Sequence, residues 1–160
     1  MAGGPGSYVF GEEERKELMD VIESGYLFRY GTEGVDGFQH KVASFETELA
    51  SKLGLKHATA TSSGTGALLC CLAALGIGAG DEVIVPGYTF IASISSIILS
   101  NAIPVLAEVD DSLTIDPTHI EELITSRTRA IMPVHMLGNP CDMDAILKIA
   151  KKHNLYVIED

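Results

Sequence analysis

Short apolar segments alternate with helical patterns from residue 56 to the end of the chain. The apolar segments cover residues 58–61, 82–86, 104–109, 130–134 and 155–158, and the helical patterns between them cover 64–75, 89–100, 117–124 and 142–153. The apolar segments are rich in valine and isoleucine with little polar alternation, which is typical of strands buried on both faces. Strand–helix repetition at this spacing predicts right-handed βαβ units and a mostly parallel sheet in an α/β fold.

The first 55 residues follow a different pattern. One surface helix is predicted from Glu12 to Ser24 and a second from about Phe38 to Leu53, each ending before a glycine. The segment between them, residues 26–31, is aromatic and mixed in polarity. We therefore divide the chain into a helical segment at 1–55 and an α/β part at 56–160. Because the last apolar segment has no helix after it, we expect the chain to be the front part of a longer protein or a cropped domain.

Composition and charge narrow the function classes. The 160 residues are 46% hydrophobic and 21% charged, and the net charge is −11. This acidic balance argues against a nucleic-acid-binding surface, although a local cradle can still hold an anion. No apolar run is long enough to span a membrane, and no signal peptide is predicted.

The three cysteines predict no metal site. Neither their odd number nor their spacing indicates zinc. Cys70 and Cys71 lie in an apolar helical run, so we expect them to be buried structural thiols. Free thiols of this kind suit a reducing cytoplasm.

Residues 61–68 (TSSGTGAL) follow an apolar segment and open a helical pattern. A helix N-terminus with small residues and hydroxyls favours an anion, so the segment is interpreted as a phosphate cradle. A plain serine N-cap with a glycine-rich turn is the alternative. A dinucleotide fingerprint needs glycine or alanine where Leu69 stands, and no Gly-Lys-Ser/Thr follows, so nicotinamide and ATP chemistry are disfavoured.

Three further residues follow predicted strands, whose carboxyl ends form the ligand-binding edge of an open α/β sheet. Asp160 ends the last one, and its carboxylate would be paired by a cationic ring nitrogen. Phe90 is placed either to stack on a planar ring or to pack into the core, and His135 either to reach a pocket or to cap a loop. Phosphate cradle, stacking ring and carboxylate together describe a pyridoxal 5'-phosphate (PLP) site.

The chain resembles the DegT/DnrJ/EryC1/StrS aminotransferases over its whole length. The motifs that carry the resemblance come in the family's order: residues 61–68, 80–86, 88–93, 133–144 and 157–160. The resemblance implies aspartate aminotransferase fold type I, with residues 56–160 as the first part of a three-layer PLP-binding large domain. It also implies a homodimer with the active site at the subunit interface. Members transfer an amino group from glutamate or glutamine to a keto-sugar, commonly nucleotide-linked.

Site residues follow from matching the family's motifs. Gly64, Thr65 and Gly66 would hold the cofactor phosphate, Phe90 would stack on its ring, and Asp160 would pair with the ring nitrogen. The family's Schiff-base lysine lies beyond the end of this chain, so these 160 residues alone should not transaminate. A few members replace that lysine with histidine and dehydrate the sugar instead, so a dehydratase or a non-catalytic homologue is the alternative.

Residues 26–31 (YLFRYG) stand where many relatives carry a loop near the substrate. Arg29, Tyr30 and His135 are the candidate substrate contacts. A similar Phe-Arg-Tyr occurs in relatives that aminate an eight-carbon 3-deoxy sugar acid, and Arg29 would meet an anionic group or form a surface salt bridge. A nucleotide-sugar binder without PLP is a third hypothesis, and Asp160 argues against it.

Overall fold

The structure, a computed structural model, describes residues 5–31 and 34–160. The chain divides into two compact units, Met1–Ala60 and Thr61–Asp160. The functional division at residues 55 and 56 stays a prediction.

The first unit contains a 3₁₀ turn at Pro5–Tyr8 and two helices, α1 at Glu12–Ser24 and α2 at Lys41–Leu53. Both helices end at glycines in the left-handed conformation, with φ of +68° at Gly25 and +65° at Gly54, as the sequence predicts. Helix α2 begins three residues later than predicted because His40 has φ of +50° and interrupts the helical backbone.

The second unit alternates helices and strands. Its helices are α3 (Gly64–Ala74), α4 (Ile91–Leu99), α5 (Pro117–Ile120) and α6 (Met143–His153). Two 3₁₀ turns lie at Glu121–Leu123 and Met136–Gly138. Its strands are β1 (Glu82–Pro86), β2 (Ile103–Ala107), β3 (Thr128–Ile131) and β4 (Tyr156–Val157). The strands form one sheet in the order β2-β1-β3-β4, and all three pairings are parallel. The predicted α/β fold with a parallel sheet is confirmed.

The core lies on both faces of the sheet. Strand β1 is buried throughout and alternates its side chains between the two faces. Val83 and Val85 pack with residues of α3 and α4, including Leu72 and Ile97. Ile84 packs on the other face, in a cluster with residues of α5 and α6. The second unit therefore has three layers, helices on either side of a sheet, as α/β domains require.

Two local predictions are wrong. Residues 58–61 form no strand, because the Ala60 N–H donates to a Glu46 carboxylate oxygen at 2.7 Å rather than to a neighbouring strand. Cys70 and Cys71 are exposed, because α3 buries only Leu68 and Leu72, one turn apart on a single face.

No helix among residues 5–31 and 34–160 is long and apolar enough to cross a membrane.

Candidate active site

The segments that follow β3 and β4 continue the sheet beyond the strands themselves. The Asp160 N–H donates to the Pro133 carbonyl at 3.0 Å, and the His135 N–H donates to the Asp160 carbonyl at 2.9 Å. These backbone hydrogen bonds hold Asp160 at the carboxyl edge of the sheet. This is the edge at which open α/β sheets bind ligands.

The Asp160 carboxylate is held by a hydroxyl from another element. The Ser93 hydroxyl, on α4, donates to Asp160 Oδ2 at 2.5 Å, and Thr89 Oγ1 lies 2.8 Å from Ser93 Oγ. Asp160 itself is exposed, and its Oδ1 has no hydrogen-bond partner among the residues that the structure describes. One carboxylate oxygen is thus fixed by the protein and the other is open to a ligand.

Helix α3 begins at the predicted cradle. Ser63 is its N-cap: the Ser63 Oγ accepts from the Gly66 N–H at 3.0 Å, and the Ser63 carbonyl accepts from the Ala67 N–H at 3.0 Å. The N–H groups of Gly64 and Thr65 have no acceptor within the described part of the chain. The serine cap and an anion site are therefore compatible, since the cap leaves these two donors free.

Gly66 differs from the donors beside it, because its N–H is already used by the cap. A Cβ at this position would lie 3.3 Å from Ser63 Oγ and 3.8 Å from Thr61 Cβ. A side chain there would crowd the turn that precedes the helix. Glycine at 66 thus keeps the cap and the turn close together.

Phe90 occupies the N-cap position of α4, directly after the segment that follows β1. Phe90 is 75% exposed. The alternative in which Phe90 packs into the core is wrong. An exposed aromatic ring at the carboxyl edge of a sheet is available to stack on a planar ligand.

His135 is held on both ring nitrogens. Its Nδ1 accepts from the Cys141 N–H at 3.1 Å, and its Nε2 lies 3.1 Å from Glu159 Oε2. Because Nδ1 is an acceptor, the proton is on Nε2, which donates to Glu159. This geometry matches the interpretation of His135 as a loop cap, and among the described residues its imidazole has no hydrogen bond to the Asp160 carboxylate.

Arg29 and Tyr30 lie in the first unit and share one carboxylate. Arg29 forms an ion pair with Glu46 Oε1, and the Tyr30 hydroxyl donates to Glu46 Oε2 at 3.3 Å. The hydrogen bond from the Ala60 N–H, followed by the pairing with Arg29, lowers the pKa of Glu46. Arg29 is thus in the salt bridge that the sequence left as its alternative, with Glu46 as the partner.

Sequence reasoning missed Ser93 and Glu46. Ser93 lies in an apolar helical run, one turn after Thr89, and two hydroxyls at that spacing on a predicted helix were a usable signal. Glu46 had no such signal, because its contacts, the Arg29 side chain and the Ala60 N–H, are 17 and 14 residues away. No cluster of three histidine, cysteine or acidic side chains suitable for a metal ion occurs in the described ranges.

Comparison with known proteins places the chain in a family. The profile of the DegT/DnrJ/EryC1/StrS aminotransferase family matches residues 9–160. GDP-perosamine synthase of Caulobacter vibrioides is 52% identical over 148 residues, which are 92% of this chain and 38% of that protein. The chain therefore belongs to the DegT/DnrJ/EryC1/StrS aminotransferase family.

Solved structures of related proteins share the fold. An aminotransferase from Psychrobacter cryohalolentis superposes with a TM-score of 0.84 at 44% identity, covering 94% of this chain and 37% of that one. NtdA from Bacillus subtilis, solved with bound cofactor PMP, gives 0.81 at 35% identity over 94% of this chain and 34% of that one. The chain thus spans between 34% and 38% of the length of these three relatives.

Proposed function

We propose that the full-length protein is a PLP-dependent aminotransferase that transfers an amino group from glutamate or glutamine to a nucleotide-linked keto-sugar. The observation that carries the proposal is the Asp160 carboxylate, held on one oxygen by Ser93 and open on the other. Family membership supports the reaction class. The name of the Caulobacter relative, a GDP-perosamine synthase, supports a nucleotide-linked sugar.

The described residues fit PLP. The free N–H groups of Gly64 and Thr65, together with the Thr65 hydroxyl, would bind the phosphate at the N-terminus of α3. Gly66 would keep that turn compact enough for a close approach. Phe90 would cover one face of the ring, and Asp160 Oδ1 would accept from the protonated ring nitrogen. When bound, PLP supplies an electron sink for the bond changes at the amino-bearing carbon.

The carboxylate of Asp160 is suited to this role by its charge and its restraint. An ionised carboxylate accepts from a ring N–H more strongly than a neutral acceptor does. Its backbone is fixed on both sides by the hydrogen bonds to Pro133 and from His135. The protein therefore holds the negative charge where the ring nitrogen must keep its proton, without a large movement on binding.

Arg29, Tyr30 and His135 are the proposed contacts for the sugar and its anionic groups. Because Arg29 is paired with Glu46, an anionic substrate group would share the guanidinium with that carboxylate or displace it. Because Glu159 and Cys141 occupy its two ring nitrogens, His135 would offer the substrate only the faces and carbon edge of its ring.

We also propose a homodimeric assembly and a cytoplasmic location. The family resemblance supports the dimer. The absence of any disulfide among the three cysteines supports a reducing compartment.

The test is a visible absorption spectrum of the purified full-length protein, recorded with PLP and then after addition of glutamate or glutamine. We expect a protein-bound visible band that the amino donor shifts to shorter wavelength, because the amino group has passed to the cofactor. A keto-sugar acceptor should then restore the original band. A protein that stays colourless with added PLP would contradict the proposal, and a coloured protein unchanged by either donor would favour the dehydratase or non-catalytic alternative.

A further inference from the structure

We propose that Ser93 is a positioning residue for Asp160, and that it acts with Thr89 as a directional chain of hydroxyls ending on one carboxylate oxygen. The inference rests on the proposed function. Ser93 does not touch the cofactor in this proposal. It acts by deciding which oxygen of Asp160 is left for the ring nitrogen.

The direction of the hydrogen bonds follows from proton counting. Ser93 Oγ carries one hydrogen and lies 2.5 Å from Asp160 Oδ2, an ionised acceptor, so the Ser93 hydroxyl donates there. Thr89 Oγ1, 2.8 Å away, must then donate to Ser93. Each donor polarises the next, so the bond to the carboxylate is stronger than an isolated serine would provide.

Burial makes this contact specific. Ser93 is only 1% exposed, so water cannot replace its hydroxyl if the side chain is shortened. Asp160, by contrast, has no other side-chain hydrogen bond among the described residues. A carboxylate in that position would rotate about χ2 without a fixed partner. The buried hydroxyl removes that freedom on the Oδ2 side and leaves Oδ1 without a partner among the described residues.

A neighbouring serine separates this role from simple helix packing. Ser96, one turn further along α4, is fully buried, and its hydroxyl donates to the Ser93 carbonyl at 2.9 Å. It has the same size and nearly the same burial as Ser93, but its hydrogen bond goes to the Ser93 carbonyl and not to Asp160. Ser96→Ala is therefore a matched control for Ser93→Ala.

The experiment compares these variants in the full-length protein by three measurements: thermal unfolding of the apo-protein, PLP affinity from fluorescence titration, and kcat at saturating substrate. Both variants should unfold at lowered temperatures, because each loses a buried hydrogen bond. Loss of a hydrogen bond to a charged group predicts a kcat about tenfold lower for Ser93→Ala, with PLP binding weakened several-fold. Ser96→Ala should stay within about twofold of wild type in both readouts, since it breaks no bond to the charged group.

A double variant identifies the partner. In the Asp160→Asn background, Ser93→Ala should cause little further loss of PLP affinity, because the charged acceptor is already gone. Should Ser93→Ala fail to fold, Thr89→Val can be used instead, because it removes only the donor to Ser93. It should lower kcat and PLP affinity in the same direction, but by less. Equal effects of Ser93→Ala and Ser96→Ala on kcat and PLP affinity, or an undiminished effect of Ser93→Ala on PLP affinity in the Asp160→Asn background, would overturn the role of Ser93 alone. A wild-type protein that binds no PLP would overturn the proposed function as well.

Discussion

Two carboxylates stand at opposite edges of the same sheet and are held in opposite ways. Glu82 opens β1 at the amino edge, is 3% exposed, and accepts from the Thr125 hydroxyl at 2.5 Å, from the Thr128 hydroxyl at 3.4 Å and from the Arg127 guanidinium. Asp160 follows β4 at the carboxyl edge, is exposed, and accepts from Ser93 alone among the described side chains. Both oxygens of Glu82 accept hydrogen bonds from the protein, whereas only one oxygen of Asp160 accepts from a described side chain.

The difference separates a structural acid from one that we propose binds a ligand. The hydrogen bonds of Glu82, first that from Thr125, outweigh burial and lower its pKa, so it stays charged and ties residues 125–128 to the start of β1. A buried charge with all its partners has nothing left to offer a ligand. Asp160 keeps one free oxygen at the edge where parallel sheets bind ligands. Substitution of Asp160 should therefore lower activity, and substitution of Glu82 should lower stability.

The largest effect is expected for Asp160→Asn in the full-length protein. The amide keeps the size of the side chain but cannot hold the ring nitrogen in its protonated state, so kcat should fall about 100-fold or more. PLP affinity should fall much less, because the phosphate contacts remain. Steady-state kinetics and PLP titration measure the two quantities.

The control is Asp144→Asn, which removes an exposed carboxylate from the first turn of α6. It should leave kcat near the wild-type value. Normal turnover in Asp160→Asn would show that Asp160 is not the ring-nitrogen partner.

The next largest effect is expected for Glu82→Ala, and it should appear in stability. Removing the carboxylate leaves the Thr125 and Thr128 hydroxyls and the Arg127 guanidinium without their acceptor, which should lower the free energy of unfolding by about 2–3 kcal/mol. Urea denaturation measures it. Glu82→Gln should lose less, since its amide oxygen still accepts from Thr125. An unchanged midpoint in Glu82→Ala would mean that the buried carboxylate does not hold this edge together.

The smallest effect is a pH dependence of the same contact. Because the folded-state pKa of Glu82 lies below its ordinary value of 4.5, its contribution is fully present above that pH. The contribution is lost as the pH falls from there through the folded-state pKa. The stability difference between wild type and Glu82→Gln should therefore shrink on acidification within that window. A difference that stays constant with pH would show that the charge of Glu82 does not contribute.

Local signals predicted most of the scaffold. Strand β1 was predicted with the observed bounds, because a short valine- and isoleucine-rich run between turns has few alternatives in an α/β protein. The ends of α1 and α2 were predicted from Gly25 and Gly54, whose left-handed backbones stop a helix. A serine N-cap, one of the two interpretations of residues 61–68, is present at Ser63.

Contacts distant in sequence explain the failures. Residues 58–61 have the composition of a strand but form none, because Ala60 donates to Glu46 instead. Cys70 and Cys71 are apolar in pattern yet exposed, because α3 packs along only one of its faces. The strand prediction failed because the partner of Ala60 lies on another element, and the cysteine prediction failed because burial depends on which face of α3 packs. The pattern along the chain contains neither.

The sequence by itself determined the βαβ architecture and the candidate residues Gly64, Thr65, Phe90 and Asp160, since periodicity, turn chemistry and motif order are local properties. Only the tertiary structure decided that Asp160 is restrained through Ser93, 67 residues away, and that Arg29 is paired with Glu46, 17 residues away. The physical reason is that a hydrogen bond or ion pair depends on the position and direction of two groups in space. Those positions exist only once the sheet and helices have packed.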